Sequence, residues 1–185
     1  MDSNNFEIIK QSLGNVVYSQ KTQEMAVIRK RGYSTGIKWG NIIIIGLVFL
    51  SLFLQIFNPD EKKYLYVGIF LTVLESLFLI FQLSFSPEKE MLEHQNTASQ
   101  LWLMREKHLN LLTDIKNEIF DKKAISKKRD ALTNELSQVY SNALKTNNND
   151  YTKASIALNG NEKPKADDDE MNTFLPKNLQ DKKED

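Results

Sequence analysis

The stretch WGNIIIIGLVFLSLFLQIFNP, residues 39–59, contains no charged side chain and decides the fold of this chain. A helix rises about 1.5 Å per residue, so the stretch spans roughly 31 Å and matches the hydrocarbon core of a bilayer. A helix buried in a soluble protein is rarely apolar on every face over this length. The stretch therefore predicts a first membrane span.

A second apolar run follows almost at once. It reads YLYVGIFLTVLESLFLIFQLSFSP, residues 64–87, and its one charged residue is Glu75. Only the residues NPDEKK, 58–63, separate the two runs, so the two helices must be antiparallel neighbours. Trp39 and Tyr64 open the runs, where aromatic rings favour the headgroup boundary. The sequence thus predicts an all-α fold built on a two-span hairpin in the lipid bilayer.

The basic residues predict the orientation of the hairpin. Arg29, Lys30, Arg31 and Lys38 precede the first span, whereas the loop between the spans holds only two lysines. Positive residues near span ends favour the cytoplasmic side. We therefore expect a multi-pass membrane protein with both termini in the cytoplasm.

Composition excludes several other classes of protein. The 185 residues could not surround two buried helices with soluble protein, and the equal numbers of basic and acidic residues, 24 each, argue against direct nucleic-acid binding. The absence of cysteine excludes disulfides, zinc–thiolate sites and a thiol nucleophile. No sequence motif for a catalytic or cofactor site occurs. We expect no enzyme activity, cofactor or metal.

Glu75 is the most informative single residue, because a carboxylate in an apolar span usually faces a protein interior, a wet cavity or a partner. With Thr72 and Gln82 it follows helical spacing along one polar face. One interpretation is a water-filled path in an oligomer, where a ring of carboxylates favours cations. The other is a protonated Glu75 bonded to Ser51 or Gln55 within the hairpin. The sequence leaves both open.

Helices are also predicted on both sides of the hairpin. Apolar residues between Phe6 and Ile28 recur at helical spacing, so an amphipathic helix should lie on the membrane surface or pack against other helices. Gly32 and Gly36 are expected to break or bend it. Two polar cytoplasmic helices should follow the hairpin, one over residues 86–123 and one over 126–145. Ser126 is the predicted N-cap of the second.

The predicted organisation has five parts. They are an N-terminal amphipathic segment (1–36), the hairpin (37–87, with spans 37–58 and 64–86), a cytoplasmic helical pair (88–146), short helices with an acidic segment (147–176) and a disordered tail (177–185). A single hairpin cannot enclose a pore, so the conducting interpretation of Glu75 requires a homo-oligomer.

Two further groups of side chains need an interpretation. His94 and His108 are the only histidines, and they lie about 21 Å apart along a helix, so we expect solvated helix residues and not ligands of one metal ion. A basic cluster lies where the two polar helices meet: Lys122, Lys123, Lys127, Lys128 and Arg129. Positive charge opposes the dipole at a helix start and invites an anion or lipid headgroups. The alternative is a solvated run of charges.

With these features, the chain resembles the bacterial SLATT family of two-span proteins. The resemblance rests on RKRGY (residues 29–33), on the tight hairpin, on SPEKEMLEHQNTASQLWLMREKHLNLL (86–112) and on YTKASIALNGNEKPKADDDEMNTFLP (151–176). It implies an effector of an antiphage conflict system that breaches the inner membrane when a partner enzyme signals. The implied partners are nucleotidyltransferases, SLOG-domain proteins or reverse transcriptases. The alternative is a non-conducting anchor or scaffold that recruits a soluble partner through the cytoplasmic helices.

Overall fold

The computed structural model describes residues 3–160, and every regular element in that range is an α-helix. In chain order the helices are α1 (Ser3–Phe57), α2 (Lys62–Ser84), α3 (Pro87–Lys116), α4 (Lys122–Asn142) and α5 (Asn148–Asn159). The prediction of an all-α fold with two long apolar helices is confirmed. The acidic segment and the tail, predicted within 161–185, lie outside the described residues.

Helix α1 is unbroken over 55 residues, and at 1.5 Å per residue it is about 80 Å long. The predicted break at Gly32 and Gly36 is therefore wrong. A glycine inside a helix costs only about 1 kcal/mol relative to alanine, and tertiary contacts readily exceed that. Lys30, next to these glycines, forms an ion pair with Glu90 of α3. One continuous helix thus joins the polar and the apolar parts of the protein.

The first half of α1 packs antiparallel to α3, and α4 completes a three-helix bundle. Two buried apolar clusters hold the bundle together. The first contains Val16, Leu101, Met104, Leu136 and Val139, and the second contains Ile9, Leu111, Ile115 and Ile125. The amphipathic N-terminal helix therefore packs against other helices, which was one of the two predicted alternatives.

The turn between α3 and α4 comes earlier than predicted. Helix α3 ends at Lys116, whereas the sequence suggested an end near Lys123. The carboxylate of Asp121 accepts a hydrogen bond from the backbone N–H of Ala124 at 2.7 Å and so caps α4. The predicted cap, Ser126, lies inside α4. Its Oγ accepts a hydrogen bond from the side chain of another helix, α1.

Helix α5 packs along α1 beside the bundle. It starts with a capping box in which the side chains of Asn147 and Asp150 each bond to the other residue's backbone N–H. Ala154 is fully buried, and the ring of Tyr151 stacks on that of Tyr18 with centroids 6.2 Å apart. Of the short helices predicted within residues 147–176, one is therefore present, over Asn148–Asn159.

The apolar pair consists of residues 39–57 of α1 and the whole of α2. Residues 58–61 connect the two helices. The most apolar window of each helix is only 6% buried, so most of its side chains face outward. By length and composition both helices can cross a membrane. A soluble core helix would be covered by protein, and these two are not.

Candidate functional site: the interface of the apolar pair

Two glycines set the register of the apolar pair. A Cβ built on Gly68 of α2 would lie 2.8 Å from Oγ of Ser51, and a Cβ on Gly40 of α1 would lie 3.5 Å from the ring of Phe78. The helices are therefore antiparallel and in close contact. The less exposed face of α2 turns toward α1 and holds Gly68, Leu71, Glu75, Phe78 and Gln82.

The carboxyl group of Glu75 lies buried in this interface, with 9% of the residue exposed. Neither of its oxygens has a hydrogen-bond partner among the described residues. Interpolating between the two glycine contacts places Glu75 level with Ile44 of α1, whose side chain offers no polar atom. An unpaired polar group costs free energy in an apolar environment. The interface thus holds a buried carboxyl group for which none of residues 3–160 supplies a hydrogen-bond partner.

The predicted hydrogen bonds from Glu75 to Ser51 or Gln55 do not form. Ser51 lies opposite Gly68, two turns of α2 away from Glu75, and its hydroxyl donates to the backbone carbonyl of Val48 at 2.8 Å. The side-chain amide of Gln55 donates to carbonyls of the connecting loop. Both partners lie too close to the loop end of the pair.

Two other buried oxygens in the apolar pair also have no partner among the described residues. They are Oδ1 of Asn41 and Oε1 of Gln55. Asn41 lies within about one helical turn of the level of Glu75, given the register set by the glycines. All of these unpaired atoms are hydrogen-bond acceptors, so the groups that would satisfy them are donors or cations.

The structure separates the three residues of the predicted polar face. Glu75 and the half-buried Gln82 lie on the side of α2 that faces α1. Thr72 is exposed at the flank of that side, about 60° around α2 from Glu75, and its hydroxyl donates to the carbonyl of Gly68 at 2.8 Å.

The basic cluster lies in the first two turns of α4, at the end of the bundle farthest from the apolar pair. Its exposed members are Lys122, Lys123, Lys127 and Lys128. Arg129 is half-buried and donates to Asn5 at 2.5 Å and to Asp130 at 2.7 Å. The 30 residues of α3 separate this cluster from the apolar pair by about 45 Å. This position favours an anion in solution over the membrane surface as its contact.

Both histidines are buried in the bundle, so the prediction of solvated histidines is wrong. Nδ1 of His94 lies 2.5 Å from the side-chain oxygen of Gln23, and Nε2 of His108 lies 3.0 Å from Oγ of Ser12. Their spacing carried a signal, because each lies seven residues from the fully buried Leu101. Seven-residue spacing places all three on the face of α3 that packs against α1.

Arg29 and Asp150 form a buried, two-bond ion pair between α1 and α5, with both N–O distances 2.9 Å. Burial alone would raise the pKa of Asp150, but the bonds from Arg29 and from the backbone of Asn147 hold it below its usual value. Burial, with the nearby charges of Arg29 and Lys30, also lowers the pKa of His94. The sequence gives no local signal for this ion pair, because its two residues lie 121 positions apart.

Comparison with curated proteins and with solved structures gave no match. A family model does match the chain over residues 6–170, and its description is SMODS and SLOG-associating 2TM effector domain family 4. The match includes both helices of the apolar pair and nearly all of the bundle. Two transmembrane segments and an all-helical architecture agree with that description. The chain therefore belongs to the SLATT family, as a member of SMODS and SLOG-associating 2TM effector domain family 4.

Proposed function

We propose that this membrane effector assembles into an oligomer and, on activation, opens a cation-permeable path past Glu75. Membership of the 2TM effector family supports a membrane effector associated with SMODS and SLOG conflict systems. The observation that carries the proposed pore is the Glu75 carboxyl, which is buried between α1 and α2 without a partner among residues 3–160.

The proposed mechanism is a change of partner at Glu75. A carboxyl in a lipid-spanning helix costs a few kcal/mol, and such groups face protein, water or an ion. In the closed arrangement the carboxyl faces apolar atoms of α1, so any state that brings it to water is favoured by hydration. Movement of α2 away from α1 would provide that state. Several hairpins would then surround the path with a ring of carboxylates, which favours cations.

The continuous helix α1 supports a link between the bundle and the proposed gate. The same helix packs against α3 and α5 in the bundle and against α2 in the apolar pair. No loop interrupts it between the two parts. A tilt or rotation of the bundle would therefore move the first span relative to the second, as in other rigid-body transitions.

We place the bundle and both termini on the cytoplasmic side of a bacterial inner membrane. The support is the excess of positive residues before the first span. On that side the bundle would meet a nucleotidyltransferase, a SLOG-domain protein or a reverse transcriptase as signalling partner. The basic cluster at the distal end of the bundle is a candidate contact for an anion or an acidic surface of such a partner.

The test is membrane depolarisation in bacteria that co-express the chain with its genomic neighbour. Wild-type protein should depolarise the cells, and Glu75→Gln should strongly reduce the rate because it removes the charge and keeps the size. Ser76→Ala is the matched control, because Ser76 is exposed and its hydroxyl bonds only to a carbonyl of its own helix. Equal depolarisation by wild type and Glu75→Gln would overturn the role of Glu75.

The alternative function is a non-conducting anchor or scaffold for a soluble partner. The observation that favours it is an open groove on the bundle, beside which Ile28 and Trp102 are 59% and 51% exposed. Exposed apolar surface of this kind often marks an interaction site. Wild-type protein that recruits its partner to membranes without any depolarisation would establish this alternative and exclude the pore.

A further inference from the structure

The face of the bundle away from α5 carries a groove of about 530 Å³ between α1 and α3, which we call the outer groove. Its rims hold Glu24, Ile28 and Trp102, and the small residues Ala98 and Ser99 leave space between them. No described element of the chain fills it.

We propose that α5 of a second copy of this chain, anchored in the same membrane, occupies the outer groove. The proposal rests on the proposed function, because it takes the apolar pair as a membrane hairpin and names the contact that joins the subunits. It commits to a head-to-tail contact, in which each copy presents α5 to one neighbour and its groove to the other. Such contacts close into a ring when the rotation between successive copies adds up to a full turn.

Helix α5 and the outer groove lie at the same height along the bundle. Each copy is held by its own hairpin, so copies related by rotation about the membrane normal meet at equal heights. Along α1, helix α5 extends from Arg29, which pairs with Asp150, to Tyr18, which bonds to Asn159. The residues of α1 that line the outer groove lie between 20 and 31. The two surfaces therefore cover the same level of the bundle.

Helix α5 and the outer groove face different directions from α1. At 100° per residue, the side of α1 that holds Tyr18 and Arg29 points about 130° away from the side that holds Gln20, Glu24 and Ile28. Helix α5 and the outer groove thus lie on two different sides of α1. A head-to-tail contact uses two different surfaces less than 180° apart when it closes into a ring, whereas a two-fold dimer would use one patch twice.

The exposed side of α5 also offers an apolar side chain to the outer groove. Ile156 points away from the buried face of α5 and is 68% exposed. It lies about two thirds of the way from Asp150 to Asn159, which brings it level with the residue pair Gln23 and His94 and hence with the groove residue Gln95. There it would cover apolar surface of the groove next to Ala98.

Charge on the rim fits the same alignment. Lys153, one turn before Ile156, is exposed and comes level with Glu24, whose side chain is 39% exposed and also pairs with Lys21 of its own helix at 3.3 Å. Opposite charges at an interface rim fix orientation more than they add affinity. The length also agrees, because the 12 residues of α5 extend about 18 Å and the groove follows α1 for about 17 Å.

The test is disulfide cross-linking in membranes, which is direct because the natural chain has no cysteine. A chain with both Gln95→Cys and Ile156→Cys should form a ladder of covalent oligomers on oxidation, because every copy offers both halves of the bond. Each single variant should stay monomeric, and a mixture of the two single variants should give dimers only. Disulfides need Cα atoms within about 7 Å, so the result reports the contact itself.

The matched control pairs Gln95→Cys with Thr133→Cys, which is exposed on α4 at a different level of the bundle. A similar ladder from this control, a dimer from Ile156→Cys alone, or no ladder from the double variant would each overturn the proposed contact. Failure of this contact is distinct from failure of the pore. If the ladder is absent while Glu75→Gln still blocks depolarisation, the contact is wrong and the pore stands. The opposite pair of results leaves the contact and removes the role of Glu75 in the pore.

Discussion

Replacing Asp150 with asparagine should loosen the attachment of α5 to α1. The substitution keeps the shape of the side chain and removes its charge, so the guanidinium of Arg29 loses its counter-ion. The carboxylate side chain of Asp150 is 1% exposed and that of Arg29 is 17% exposed. The remaining cation would therefore lie in a site that water reaches poorly.

The size of the effect follows from that burial. Removing one partner of a buried ion pair costs about 3–5 kcal/mol, but Arg29 keeps some contact with water and asparagine keeps one acceptor. We expect a loss of about 2–3 kcal/mol in the free energy that holds α5 in place. At about 1.4 kcal/mol per factor of ten, the open population of α5 should rise roughly 30- to 150-fold.

Hydrogen exchange of the α5 amides, measured on purified protein in lipid nanodiscs, reports this opening directly. The control is Lys38→Gln, which breaks an ion pair with Glu88 whose side chains are 64% and 58% exposed. Such exposed pairs contribute about 0–1 kcal/mol, so exchange in α5 should not change. Exchange at the wild-type rate in Asp150→Asn would refute the assignment of this pair as the main attachment of α5.

Three further predictions concern packing and pH. Gly68→Ala brings a methyl group 2.8 Å from a hydroxyl oxygen of α1 and should lower the free energy of unfolding by about 1–3 kcal/mol. Gly46→Ala is the control, because its methyl group meets open space and should leave that free energy unchanged. Leu101→Ala empties a fully buried site and should cost about 2–5 kcal/mol in unfolding experiments, against little for Leu103→Ala, which is 48% exposed. The pKa of His94 in the folded protein lies below its ordinary value of 6.5. Near pH 6.5 the unfolded chain therefore binds a proton at His94 more readily than the folded protein does. Bundle stability should therefore be complete above that pH and decline below it, and His94→Gln should reduce the decline.

The spans could be predicted from the sequence because the membrane acts locally. Each side chain of residues 39–59 must be compatible with the hydrocarbon core of the bilayer, so the composition of this stretch alone identifies the helix. The same reasoning singled out Glu75 as an exception within an apolar run. Its burial against α1 and the absence of a described partner depend on the register of two helices, which the composition of either helix does not contain.

The predictions that proved wrong concern residues whose structure depends on contacts with distant parts of the sequence. His94 is buried because Gln23, 71 residues away, offers a partner, and no local pattern shows that pairing. Gly32 suggested a break from its intrinsic propensity, but contacts of α1 with α3 decide the helix there. Ser126 and Asp121 are both good capping residues, and the turn after α3 selects Asp121. Local signals thus located the elements, while contacts between distant residues determined their ends and their buried polar groups.

Water access to the inward face of α2 tests the proposed gate most directly. Leu71→Cys places a thiol one turn before Glu75 on that half-buried face, and Leu77→Cys places one on the outer side, where the residue is 60% exposed. A membrane-impermeant thiol reagent should leave both unlabelled at rest. During depolarisation we expect labelling of Leu71→Cys alone. Depolarised cells in which Leu71→Cys stays unlabelled would contradict a path along this face.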